Sequence, residues 1–90
     1  MYRQTNADAM SELKKEKRKR EEFQIRFGEH LKKFREKKGV SGAELARRCY
    51  MDKPNITRIE KGRINPSLYI LQKICDALEI DMHELLKEFK

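Results

Sequence analysis

The sequence predicts an all-α chain of five helices preceded by a charged arm. Three observations carry that expectation. Apolar residues recur at three- and four-residue spacing across most of residues 27–86, the period of a buried helix face. No stretch alternates with period two over more than a few residues, so no strand is expected. Three helix starts share one pattern, in which a Ser or Asp cap follows an apolar residue that can pack on another five positions later. At 90 residues the chain fits one small domain. It divides into an arm, residues 1–24, and a helical domain, residues 25–90.

The arm opens on a polar, patternless stretch, residues 1–9, expected to fray. Residues 11–22, SELKKEKRKREE, are strong helix formers without glycine or proline, and Ser11 can cap them. Glu12–Lys15 and Glu16–Arg20 are favourable pairs at helical spacing. Leu13 is the one apolar residue of the run, so no core face exists. The segment is either a solvated helix continuous with the next or a mobile arm. Residues 14–20 hold six basic residues and one acid. Such a run suits an arm lying along phosphates or entering a minor groove, and equally a charged run that only aids solubility. The whole arm carries seven basic and five acidic residues, so it is not the only source of positive charge.

Helix one is expected over residues 23–38. Phe27, Leu31 and Phe34 form its buried stripe, which Phe23 and Ile25 can extend, and Gly39 ends it. Helix two, 42–49, starts from a capping box, Ser41 with Glu44, and Val40 packs on Leu45. Helix three, 53–61, has Asp52 as cap, Met51 facing Ile56, and Pro54 in the first turn, where its missing N–H costs little. Gly62 and Pro66 close it off. Ser67 caps helix four, with Ile70 or Leu71, Ile74 and Leu78 inward. Asp81 and Glu84 form the box of helix five, from Met82 to about Phe89, with Ile80 against Leu85.

Helices two and three, joined by a tight turn, read as a helix-turn-helix whose second helix enters a DNA major groove. With Ile56 and Ile59 inward, Pro54, Arg58 and Lys61 fall on the opposite side, flanked by Lys53 and Thr57. Arg58 suits guanine O6 and N7; Lys53 suits a guanine or a phosphate. Pro54 or the Thr57 methyl suits a thymine methyl. Phosphate contacts are expected from Lys61, Arg63, Asn65 and from backbone N–H groups at the helix starts and in the loop. Asn55 and the backbone of Gly42 join that set.

Charge is polarised along the chain. Net charge is +7. Residues 47–63 hold six basic residues against two acids, and residues 76–90 hold five acids against two bases. That polarity favours an oriented face for a polyanion. Cys49 and Cys75 are distant in sequence, match no metal-ligand spacing, and read as reduced core residues, so no metal is expected. No cofactor is expected either. His30 and His83 stand alone on helices, and no phosphate loop or nucleophile elbow occurs, so an enzyme is not expected. No apolar run reaches the roughly 20 residues of a membrane span, and no leader pattern is visible. The expected location is the cytoplasm.

SGAELA at residues 41–46, ITRIEKG at 56–62, NPS at 65–67 and LQKICDAL at 71–78 resemble the lambda-repressor-like helix-turn-helix family of the Cro/CI and XRE type. The resemblance implies a five-helix domain, usually a homodimer on a near-palindromic operator, acting as a transcription regulator. It assigns base reading to Lys53, Pro54, Thr57 and Arg58, and a structural ion pair to Arg35 and Glu60. Three residues depart from the family pattern. Gly42 stands where many members have a phosphate-binding glutamine, leaving only backbone N–H. Tyr50 occupies a turn position that often needs glycine with positive φ. Pro54 has no hydrogen-bonding side chain on the reading face. For the dimer, Ile80, Met82, Leu85, Leu86 and Phe89 are the candidate interface, and closure of the monomer's own core is the alternative use of the same residues. The competing function is an antitoxin or bridging type of interaction protein that binds a protein partner as well as DNA.

Overall fold

The computed structural model describes residues 6–89. It contains α1 (Asn6–Lys37), α2 (Gly42–Arg48), α3 (Lys53–Glu60), α4 (Leu68–Leu78) and α5 (Met82–Leu86), with no strand among the described residues. The all-α, five-helix architecture is that expected from the period of the apolar residues.

Of the two courses open to the charged run, α1 takes the helix continuous with the next. It is one unbroken helix of 32 residues, running from within the patternless stretch through the charged run into the domain. Residues 6–9, expected to fray, are helical; residues 1–5 lie outside the described residues. Two things sustain the helix where nothing packs on it. The run lacks glycine and proline, and ion pairs staple successive turns: Glu12–Lys15 at 3.7 Å, Glu16–Lys19 at 3.7 Å and Lys17–Glu21 at 3.8 Å. Glu16 thus pairs with Lys19 and not with Arg20. Each exposed pair is worth only about 0.2–0.5 kcal/mol, so helix propensity supplies the rest.

The core gathers one face from every helix: Phe27 and Leu31 of α1, Leu45, Ala46 and Cys49 around α2, Ile56 and Ile59 of α3, Ile74, Cys75 and Leu78 of α4, and Leu85 of α5. Val40 and Ile80 join from the connections. Ile70 and Leu71 are both half-buried at its edge, as are Phe34 and Met51. Cys49 and Cys75 are buried free thiols, and burial pushes both thiol pKa values up.

The helix starts follow the sequence pattern only in part. Ser41 Oγ accepts from Glu44 N, and Ser67 Oγ accepts from Ile70 N. Asp52 and Asp81 occupy N-cap positions without a side-chain cap bond. The box at Ser41 is one-sided, because the Glu44 carboxylate turns to Arg47 and Arg48 instead. Helix α5 ends at Leu86, short of Phe89, which returns to donate its N–H to Leu86 O.

Close backbone approach locks α1 to α3. A Cβ on Gly28 would lie 2.4 Å from Glu60 O and 2.6 Å from Ile59 O. Gly62, with φ +72°, ends α3 against α1, where a Cβ would meet Ile25 Cα at 2.6 Å. Both sites therefore exclude any side chain, and together they bring the end of the third helix onto the first.

Candidate nucleic-acid interface

Helix α3 has one buried side and one open side. Ile56 and Ile59 are each 1% exposed, and they fix the rotation of the helix against the core. Lys53, Pro54 and Arg58 are exposed on the other side, with Thr57 and Asn55 half-buried beside them; Lys61 follows as C-cap. Arg63, Ile64 and Asn65 continue the open surface into the loop. Among the described residues, Lys53, Arg58, Lys61 and Arg63 make no ion pair. The open side therefore carries four uncompensated cations.

Arg58 is held before any ligand arrives, because its Nη1 donates to Asn55 Oδ1 at 2.8 Å. The expectation treated Asn55 only as a phosphate contact. Its three-residue spacing from Arg58 was the signal that could have shown this tie. Gly42 is half-buried at the start of α2, and the nearest atom to a Cβ placed there is Lys53 Cε at 3.8 Å. The first turns of α2 and α3 thus sit side by side, with the Lys53 stem crossing the space a larger residue would use.

The turn before α3 keeps its tight form at a cost. Tyr50 has φ +55°, the left-handed region, with its side chain 91% exposed. The backbone is secured by Tyr50 N donating to Arg47 O and Met51 N to Ala46 O. The strain is borne and the turn is not rebuilt. Glu79, with φ +56°, does the same at the end of α4.

Arg35 connects the far end of α3 to α1. Its Nε donates to Glu60 Oε2 at 2.7 Å, Nη2 to Glu60 Oε1 at 3.0 Å, and Nη1 to Val40 O at 2.9 Å. The two side chains are 12% and 8% exposed. The hydrogen bond to Glu60 raises the Arg35 pKa against the opposing effect of burial. Beside this pair, Ile25, Glu29 and Lys32 of α1 face Thr57 and Lys61 across an open groove of about 480 Å³.

Not every basic residue of the stretch 47–63 belongs to the open face. Arg47 and Arg48 both bond the Glu44 carboxylate, and Arg48 Nη1 also donates to Ala77 O at 2.9 Å. Those guanidiniums hold the Glu44 pKa down to about 2. Two residues of the candidate dimer surface are likewise occupied. Leu85 is 0% and Ile80 8% exposed, closed within the chain's own core, so neither is free to meet a second copy. Phe89 packs edge-on against Phe23 and His30. Met82 and Leu86 stay half-buried.

No three metal-ligating side chains cluster among the described residues, and no helix there is long and apolar enough to cross a membrane.

A helix-turn-helix family model matches residues 31–85. The chain is 36% identical over 63 residues to the HTH-type transcriptional regulator SinR of Bacillus licheniformis, covering 69% of this chain and 57% of that protein. It thus spans a little over half the length of that relative. It is 37% identical over 70 residues to the control protein C.MunI of Mycoplasma sp, covering 77% of this chain and 95% of that one. The crystal structure of the clp gene regulator ClgR from C. glutamicum superposes with a TM-score of 0.69 at 31% identity, over 72% of this chain and 83% of that chain.

Proposed function

The chain belongs to the helix-turn-helix family of the XRE, or Cro/CI, type, and from that premise we propose that it is a sequence-specific, DNA-binding transcriptional regulator. One observation supports this above the others: the open surface of α3 and the loop after it, away from Ile56 and Ile59, carries Lys53, Arg58, Lys61 and Arg63, none of them paired to an acid among the described residues. Lys53, Pro54, Thr57 and Arg58 read base edges in the major groove, with Arg58 on a guanine. Lys61, Arg63 and Asn65 hold phosphates, joined by the backbone N–H of Gly42 and the Asn55 amide, whose oxygen is engaged by Arg58. The Arg35–Glu60 pair and the glycine contacts keep α3 rigid on α1, so recognition costs little reordering.

The assembly is a homodimer on a near-palindromic operator. With Ile80 and Leu85 inside the core, the surface available to a second copy is Met82 and Leu86. Leu86 borders an apolar pocket of about 200 Å³ with Phe23, Ile64, Pro66 and Leu71.

Selection of bound sequences from a random duplex pool tests the reading. The expected product is a palindrome whose half-sites lie one DNA turn apart, about 34–36 Å. Arg58→Ala then relaxes one base position at a cost of about 1–3 kcal/mol, whereas Lys61→Ala weakens all sequences alike. Equal losses on selected and random DNA for Arg58→Ala would remove that residue from base reading. A pool without enrichment would favour a protein partner instead.

A further inference from the structure

Helix α1 carries its charged run past the domain as a rigid extension. No glycine or proline interrupts it before Gly28. Its direction is set where it leaves the body: Gln24 Nε2 donates to Gly62 O at 3.2 Å, and Gly62 backs directly onto Ile25. The turn that ends the reading helix is therefore also the bracket that aims the arm.

The cations of the arm sort by side and by pairing. Ile25 and Lys32 face the groove that Thr57 and Lys61 border. At about 100° per residue, Arg18, seven residues before Ile25, and Lys14, eleven before it, return to that same side. By the same count Arg20 is turned about 140° from Ile25, and it lines the adjoining groove instead, about 490 Å³, with Lys61, Gly62, Arg63 and Asn65. Lys15, Lys17 and Lys19 are turned away by about 80–120° and are tied to Glu12, Glu21 and Glu16. Lys14, Arg18 and Arg20 make no ion pair among the described residues. Glu22 and Glu29 bracket Ile25 on the groove side, so an acidic break separates the cations of the arm from those of α3.

We propose that Lys14 and Arg18 form a second phosphate-binding surface, which holds duplex DNA beyond the base pairs read by α3. The proposal rests on the reading of α3 as a major-groove helix. At about 1.5 Å of rise per residue, Arg18 lies about 10 Å and Lys14 about 16 Å beyond Ile25 along the helix. That length corresponds to about three to five base pairs at 3.4 Å each. The contact is to phosphates and is therefore independent of sequence.

The test uses two duplexes carrying the sequence selected from the pool, one ending at the core and one extended by a full turn of unrelated sequence on each side. Dissociation constants are measured across a salt series for the full chain. The wild type is expected to bind the extended duplex more tightly and with the steeper dependence of log K on log salt. Lys14→Ala/Arg18→Ala is expected to lose that difference, with the slope on extended DNA falling by about 0.9 per lost contact, up to about 1.8 per protomer. Lys15→Ala/Lys19→Ala removes the same charge from the far side and is expected to keep the wild-type difference. Equal losses in the two double variants, or a wild type that does not distinguish the duplexes, would overturn the proposal. A wild type that binds no duplex at all would overturn the reading of α3, and the second surface with it.

Discussion

Removing one side of the Arg35–Glu60 pair should strongly destabilise the protein, whereas removing both should not. Arg35→Ala leaves Glu60, 8% exposed, without the guanidinium that bonds both its oxygens, and takes the donor from Val40 O. Isolating one member of a buried pair costs about 3–5 kcal/mol. A chain of this length has a total stability of about 5–13 kcal/mol at about 0.05–0.15 kcal/mol per residue. The single variant should therefore lose about a quarter of its stability or more, a drop in Tm of about 12 °C or greater at about 4–8 °C per kcal/mol. Arg35→Met/Glu60→Leu withdraws both charges together and should stay within about 1 kcal/mol of wild type. Urea unfolding followed by circular dichroism measures all three proteins. An Arg35→Ala variant within about 1 kcal/mol of wild type, or a double variant as unstable as the single, would refute the reasoning.

Gly28→Ala should lose about 2–3 kcal/mol even though alanine is the better helix former, because the new Cβ meets the backbone carbonyls of Ile59 and Glu60. Gly39→Ala, with φ +71° and open space around it, should lose only the left-handed backbone cost, about 1–2 kcal/mol; thermal melts that rank the two the other way would contradict the close packing of α1 on α3. Tyr50→Gly should gain about 0.5–1 kcal/mol by relieving the positive φ, since the ring is 91% exposed, with the Lys73 ammonium 5.8 Å from its centroid. Glu44→Gln should be less stable than wild type at neutral pH. The Glu44 carboxyl is held at about 2 against an ordinary value of 4.5, so its contribution is complete above that ordinary value and is lost as pH falls towards 2. The Tm difference between the two proteins should narrow from pH 5 downward, and a constant difference would exclude the Arg47 and Arg48 contacts as its source.

The fold class was legible because the apolar residues keep helical period through the domain, and Ser41 and Ser67 mark real helix starts. What escaped the sequence was set by contacts between distant segments. Gly28 stands alone inside an amphipathic pattern and carries no turn signal; only the approach of Ile59 and Glu60 gives it a purpose. Glu44 has the spacing of a capping box, but the guanidiniums one turn later offer its carboxylate a stronger partner than a backbone N–H. Ile80 and Leu85 looked surplus to a small core, yet a short α5 closes that core by burying both. For α3, the period of Ile56 and Ile59 made the open side readable. The support that Asn55 gives Arg58 depends on rotamers, which spacing suggests but does not fix.

The unbroken course of α1 gives the protein a rotational phase. A single residue inserted between Glu22 and Phe23 would shift everything before it by only about 1.5 Å but turn it by about 100°, carrying Lys14 and Arg18 off the side they share with Lys32. Seven residues inserted at the same point would move the arm about 10 Å outward yet restore its orientation to within about 20°. The length of this segment is therefore constrained as a gear is, by whole turns, and small changes there should matter more than large ones.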